Sequence, residues 1–430
     1  MNNRRHFIRQ AGMIAGAFSA QSIFRQVHAS DFQLINVLKR DIAPEILASD
    51  EDYWSVIQQA YTVNPSIINL NNGGVSPSPR IVQEAVERYN KLSNEGPSYY
   101  MWRILDQGRE PLRQKLADLA GCDPEEIAVN RNSTEALNTV IFGIDLKAGD
   151  EVIGTKQDYP NMINAWKQRV QREGIVYTQI SFDFPIENDE AIIRSFEKAI
   201  TSKTKILHIT HVVNWMGQIL PVTKLCQLAK KHGLKTIVDG AHSFGLLDFK
   251  IPDLGCDFFG ASLHKFLSAP IGSGMLWIRK DNISDIWPLV CHDNPKSGDI
   301  RKFETLGTRS FPIEQGIGEA INFHQAIGSK RKEARIRYLK NYWAGKVKDI
   351  PKVKIHTSLQ DDFSCAICGV SIDGMTPGEL ETELFVKYKI HSISIVWENI
   401  SCVRITPHVY TRLKDLDRLV NALETIASKK

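Results

Sequence analysis

The chain has 430 residues, 43% apolar and 24% charged, which leaves room for a large core and more than one domain. Its formal charge of +4 falls entirely on Arg4, Arg5, Arg9 and Arg25, because no acid precedes Asp31. The rest of the chain holds 49 of the 53 basic residues against 49 acidic ones, so a nucleic-acid role has no electrostatic support. No internal repeat or low-complexity tract interrupts it.

Residues 1–30 read as an export signal. Asn3-Arg4-Arg5-His6-Phe7-Ile8-Arg9 precedes a weakly apolar run of Ala, Gly, Met and Ile. That is a charged n-region ahead of an h-region too short to span a bilayer comfortably. The segment resembles a twin-arginine signal, and Val27 and Ala29 suit cleavage after Ala29. The resemblance implies that twin-arginine export machinery carries the folded protein to the periplasm or beyond, with no stable membrane span after processing.

Further on, apolar strand runs alternate with amphipathic helices. "EIAVN" is a predicted strand and "STEALNTVIFGI" a helix with Leu137, Val140, Ile141 and Ile144 on one face. "DEVIGT", "TKILHITHVV", "KTIVDGAHS", "CDFFGASLH" and "SGMLWIRK" are further strands, with helices through "NMINAWKQRVQREG" and "TKLCQLAKKHG". This order predicts an α/β fold whose mostly parallel sheet is covered on both faces. After about residue 312 one long charged helix, "GEAINFHQAIGSKRKEARIRYLKNYWAGKVKDI", leads into shorter strands and a last helix. Residues 75–310 are expected to form a large domain, and 31–74 with 311–430 a smaller one. Of seven cysteines only Cys365 and Cys368 are closely spaced, and no second Cys or His pair completes a metal site. Buried thiols on a strand are expected there.

In parallel sheets ligands gather at the carboxyl ends of the strands, and four of those ends carry polar residues. "VNRNSTEALN" puts Ser133 and Thr134 where a strand turns into a helix. That is an N-cap, and equally a place where N–H groups and hydroxyls hold a phosphate. Asp239 ends an apolar strand, so its carboxylate needs a cationic or donor partner. "SLHKF" brings Ser262, His264 and Lys265, and "QDYPNM" places Tyr159 between a strand and a helix. One ligand unites the four. Pyridoxal phosphate needs a lysine amine for its aldehyde, an acid beside its ring nitrogen, a stacking group and a phosphate cup.

Asp239-Gly-Ala-His242 and Ser262-x-His264-Lys265 resemble, at this spacing, the fold-type I pyridoxal-phosphate enzymes of the class V aminotransferase family, over the chain after about residue 65. The resemblance implies a mostly parallel seven-stranded sheet with helices on both faces and a smaller α+β C-terminal domain. It implies Lys265 as the imine-forming lysine and proton shuttle, and Asp239 as the partner of the pyridinium nitrogen. Tyr159 would cover the ring, His242 would approach its hydroxyl, and Ser133, Thr134, Ser262 and His264 would form the phosphate cup. Thr308 in "LGTRSFP" would reach the neighbouring subunit, which implies a homodimer with shared active sites. Arg404 in "CVRITPHVYT" would clamp the carboxylate of a small amino-acid substrate, with Asn72 and Asn214 as further contacts.

That family leaves desulfuration, transamination, epimerisation and side-chain cleavage open. A cysteine desulfurase needs a thiol on a mobile loop before the arginine segment, whereas Cys402 lies on the expected strand two residues before Arg404. "NLNNGGVSPSPR", "DYPNMINAW" and "VRITPHVYT" resemble the isopenicillin N epimerase-like branch. This implies isomerase chemistry through an external aldimine and a quinonoid carbanion. Inversion needs a second acid opposite Lys265, for which Tyr159, His211 and Asn214 are candidates. An aminotransferase, a carbon–sulfur lyase, and an exported cofactor-binding protein without turnover are the other readings.

Overall fold

The computed structural model describes residues 42–429, so the export signal expected within residues 1–30 lies outside the described residues. Seven strands form the central sheet: β1 (Ile127–Asn130), β2 (Glu151–Thr155), β3 (Val176–Ile180), β4 (Thr204–Thr210), β5 (Lys235–Asp239), β6 (Phe258–Ser262) and β7 (Gly274–Ile278). Their order is β1-β7-β6-β5-β4-β2-β3. Only β7 runs antiparallel to its neighbours. The mostly parallel sheet expected from the sequence is present. Ile153, Leu207, Val238 and Phe259 fill one face, and Val152, Ile206, Ile237 and Phe258 fill the other. These are consecutive residues on the same strands, so side-chain alternation divides each apolar run between two cores. The strand that sequence patterning misses is β3, whose "VYTQI" is half-exposed at the sheet edge and lacks an apolar run.

Helices α1 (Arg80–Glu95), α2 (Arg109–Ala120), α3 (Ser133–Gly143), α4 (Pro160–Glu173), α5 (Asp189–Ala199) and α6 (Val222–Lys231) cover the sheet. The single long helix expected after residue 312 is in fact two. Gly328, at a φ of 92°, separates α7 (Phe311–Ile327) from α8 (Ser329–Val347). Helix α7 packs on α1 and α2 and gives Ile317, Ala320 and Ile321 to the large core. The small domain's own chain therefore resumes at α8, not at residue 311. Its sheet has strands β8 (Val353–Ile355), β9 (Cys368–Ile372), β10 (Ile393–Trp397) and β11 (Ile400–Ile405), in the antiparallel order β10-β11-β9-β8. Leu339 and Trp343 of α8 pack there with Leu419 and Leu423 of the last helix. Among the described residues, no helix is long and apolar enough to cross a membrane.

The open side of edge strand β1 is covered by side chains. Glu304 accepts from the Val129 N–H at 2.6 Å, and Arg113 donates to the Ile127 carbonyl. The two side chains also pair with each other, at 2.8 and 2.9 Å, and Arg113 is fully buried. Removing the carboxylate strands a buried guanidinium, although the exposed Glu110 still reaches it at 3.2 Å. Glu304→Ala is expected to cost about 3 kcal/mol in denaturant titration, the low end for breaking a buried pair. A loss under about 1 kcal/mol would put the clamp among ordinary surface pairs.

Candidate active site

The site forms where β5, β6 and the loops after β1 and β2 finish on one edge of the sheet. Asp239 is the last residue of β5 and Ser262 the last of β6, with Lys265 three residues beyond. Asp239 is buried, and its Oδ1 accepts the Ala241 N–H at 2.9 Å. Burial pushes its carboxyl pKa up, while that N–H and the Lys265 charge pull it back. Lys265 Nζ stands 3.2 Å from His242 Nε2. Burial lowers the amine to about 8, Asp239 opposing and Arg404 adding to the effect.

His242 Nε2 also lies 2.8 Å from the Gly73 carbonyl. A carbonyl only accepts, so Nε2 carries the proton. Burial and the Lys265 charge hold this imidazole well below its usual pKa, hence neutral. With that proton committed to the carbonyl, Lys265 Nζ at 3.2 Å is a close polar neighbour of the imidazole and not a second acceptor for it.

The phosphate cup differs from expectation in one respect. Asn132, rather than Ser133 or Thr134, caps α3, accepting the Glu135 N–H at 2.9 Å. Ser133 is thereby released to face Ser262, whose Oγ accepts from the Ser133 N–H at 3.0 Å and donates to the Ser133 Oγ at 2.9 Å. Thr134 is half-buried beside them and accepts from Asn161 at 3.5 Å. His264 Nδ1 donates to the Ser273 carbonyl at 3.1 Å. Only glycine fits at 274, where a Cβ would stand 2.5 Å from the Asn132 backbone. Strand β7 thus packs directly against the start of α3. Hydroxyls at the N-terminus of an eleven-residue helix suit an anion.

On the small-domain side, Arg404 of β11 is buried. It donates to the Asn214 carbonyl at 2.8 Å and to Asn71 Oδ1 at 2.9 Å. Its Nε has no partner, no carboxylate pairs with it among the described residues, and burial lowers it to about 10. Asn214 Oδ1, Thr406 Oγ1 and His211 Nδ1 are likewise buried without partners. Native proteins seldom leave several such atoms unsatisfied unless a ligand serves them.

The remaining expected residues divide. Tyr159 is exposed at the start of α4. Its loop is fixed by buried Asp158, which accepts from the Thr155 N–H at 2.7 Å and from the Thr155 and Thr210 hydroxyls at 2.8 Å each. Asn72 is fully buried and engaged by protein, donating to the Thr406 carbonyl at 2.8 Å and accepting from Tyr410 at 2.7 Å. Its neighbour Asn71 holds the place beside Arg404. Asn71 forms the bridge to Thr406 and Asn72 opens the turn after it, so the doublet in "NLNNGG" does not say which asparagine faces Arg404. Thr308 is exposed, and among the described residues no hydrogen bond joins it to Ser133, Thr134, Ser262 or His264. Cys402 is fully buried in β11, and burial raises its thiol to about 12. Cys365 and Cys368 are free, buried thiols.

An amine of lowered pKa, a buried carboxylate near it, a hydroxyl-lined helix start and an open tyrosine fit pyridoxal 5′-phosphate. The sheet and site together define a fold-type I protein. Residues 68–419 match the family model described as aminotransferase class-V, and the chain belongs to that family. It is 27% identical over 395 residues to an isopenicillin N epimerase of Streptomyces clavuligerus, covering 87% of this chain and 99% of that one. It is also 27% identical over 398 residues to a probable cysteine desulfurase of Halalkalibacterium halodurans, covering 86% and 95%. Among solved structures, apo cysteine desulfurase from Thermococcus onnurineus superposes with a TM-score of 0.77 at 21% identity, over 87% of this chain and 98% of that one. The cystine C–S lyase C-DES, in complex with cysteine persulfide, gives 0.76 at 22% identity over 84% and 98%. A C-DES mutant carries glycine covalently linked to its PLP cofactor. Pyridoxal 5′-phosphate is the cofactor on which family and donor set agree.

An amine attacks an aldehyde in its neutral form, and burial brings the Lys265 amine down from 10.5 to about 8. When cofactor-free protein meets pyridoxal 5′-phosphate, the rate of imine formation is expected to climb about tenfold per pH unit below 8, then level off. Stopped-flow absorbance reads this. A rate still climbing at pH 10 would mean an unperturbed lysine.

Proposed function

We propose that this chain is a pyridoxal 5′-phosphate-dependent enzyme that inverts the configuration at Cα of a small amino-acid substrate, like its epimerase-named relatives. Arg404 is the observation that carries the reading. A buried guanidinium without a counter-ion is costly, and a substrate α-carboxylate supplies the missing charge in the geometry an arginine favours. When bound, the cofactor supplies an aldehyde for the amine and an electron-poor ring that accepts the electron pair left at Cα.

The chain's own residues do the rest. Lys265 would hold the cofactor and, once free, would take the Cα proton at Nζ on its own face. Asp239 keeps a proton at the ring nitrogen. Ser133, Thr134, Ser262 and His264 hold the phosphate, Tyr159 covers the ring, and the His242 Nε2–H lies beside the lysine. Asn214 offers its unpartnered Oδ1 next to Arg404. A proton donor opposite Lys265 completes inversion, and Tyr159 and His211 are the titratable candidates. Desulfuration through a persulfide is disfavoured by the buried, strand-held Cys402. In this reading Thr308 reaches the site of a second copy, in a homodimer with shared active sites.

The test is incubation of the cofactor-loaded protein with a panel of L-amino acids in deuterated water. Deuterium at Cα and the appearance of the D-enantiomer are expected for at least one of them. Accumulated pyridoxamine form would instead mean transamination, released sulfide a lyase, and no exchange at all a binding protein. Arg404→Gln is expected to raise KM about 100-fold with the cofactor's absorbance retained.

We also propose that residues 1–30 send the protein out of the cytoplasm along the twin-arginine route, supported by the paired arginines and the short h-region. Replacing Arg4 and Arg5 together by lysine should retain the protein in the cytoplasmic fraction. Undiminished export would point to another signal.

A further inference from the structure

The turn between β10 and β11 leaves the small domain and fastens onto the large one. Trp397 Nε1 donates to the Lys156 carbonyl at 2.8 Å. Its ring stacks on Trp215, with centroids 5.2 Å apart and planes at 22°. Trp215 Nε1 donates to the adjacent carbonyl, that of Gln157, at 2.8 Å. Asn399 donates to the Phe182 carbonyl at 2.9 Å and accepts from the buried Gln157 side chain at 3.0 Å. Lys156 and Glu398 add an exposed ion pair at 3.9 Å, which contributes little.

Three of these anchors, Lys156, Gln157 and Trp215, lie close in sequence to site residues. Lys156 and Gln157 lead through Asp158 to Tyr159. Trp215 follows Asn214, whose carbonyl holds Arg404, and Arg404 itself lies on β11. A two-residue hairpin turn closes without outside help, so closing the hairpin does not account for these contacts.

We infer that the turn is a brace that sets the separation between Tyr159 and Arg404, with Trp397 as its positioning residue. The inference rests on the reading that Arg404 binds a substrate α-carboxylate, and it names what in the fold holds the selection for that carboxylate. A span fixed before binding favours a carboxylate on the same carbon as the amine. A β-amino acid places its carboxylate one bond farther away and is rejected.

The experiment compares the full-length protein with Trp397→Ala and Trp397→Phe, the latter keeping the ring stack and losing the bond to Lys156. In cofactor-free protein, hydrogen exchange at amides 156–159 is expected to quicken about tenfold in Trp397→Ala and less in Trp397→Phe, with β5 unchanged. In loaded protein, pyridoxal 5′-phosphate affinity should stay within about twofold. The spectral affinity for L-alanine should fall about tenfold, and its preference over β-alanine should narrow. Wild-type exchange rates together with an unchanged preference in Trp397→Ala would overturn the brace. If wild-type spectra respond to no amino acid, the Arg404 reading has failed, and the exchange comparison alone decides: quickening upholds the brace and no change rejects it.

Discussion

Two buried cations and one carboxylate share the pocket at the ends of β5 and β6, and that imbalance governs the site. Burial and the neighbouring Arg404 lower the Lys265 amine to about 8, and Asp239 offsets this only in part. The same field holds His242 uncharged, which fixes its proton on Nε2 against the Gly73 carbonyl. What remains is a positive centre at Arg404, which meets the Asn214 carbonyl and Asn71 Oδ1 but no carboxylate among the described residues.

Topology assembles the pocket from distant stretches of chain. Asp239 and Ser262 arrive because β5 and β6 are parallel neighbours, with Asp239 opposite Gly260 and Ser262 two residues beyond. Ser133 arrives because β1, although an edge strand, hands its helix to the same end. Arg404 and Asn71 come from the small domain, where a parallel bridge pairs Asn71 with Thr406. Thus the strand-end residues of the large sheet and Arg404 of the small sheet meet from two separate cores.

Much of the first half was legible in the sequence, because strand ends in a parallel sheet announce themselves. An apolar run stops, and a polar residue with a glycine or serine follows, as in "IVDGAH" and "FFGASLHK". The second half was less so. Arg404 showed through its family-like segment, but Asn71 and the Asn214 carbonyl depend on backbone direction and pairing, which no composition records. The cap at Asn132 was hidden because three consecutive residues, Asn, Ser and Thr, could each take that place. Strand β3 and the break at Gly328 escaped for opposite reasons. One strand has too few apolar residues to be seen, and one glycine sits within a helical pattern strong enough to mask it.

The Glu304–Arg113 pair beside β1 has a consequence for assembly. The N–H of Val129 and the carbonyl of Ile127, which would recruit a neighbour's backbone, are already taken by these side chains. Strand addition by another molecule is closed off along that margin. Partner copies approaching there must meet helices and loops, so this border cannot seed an intermolecular sheet.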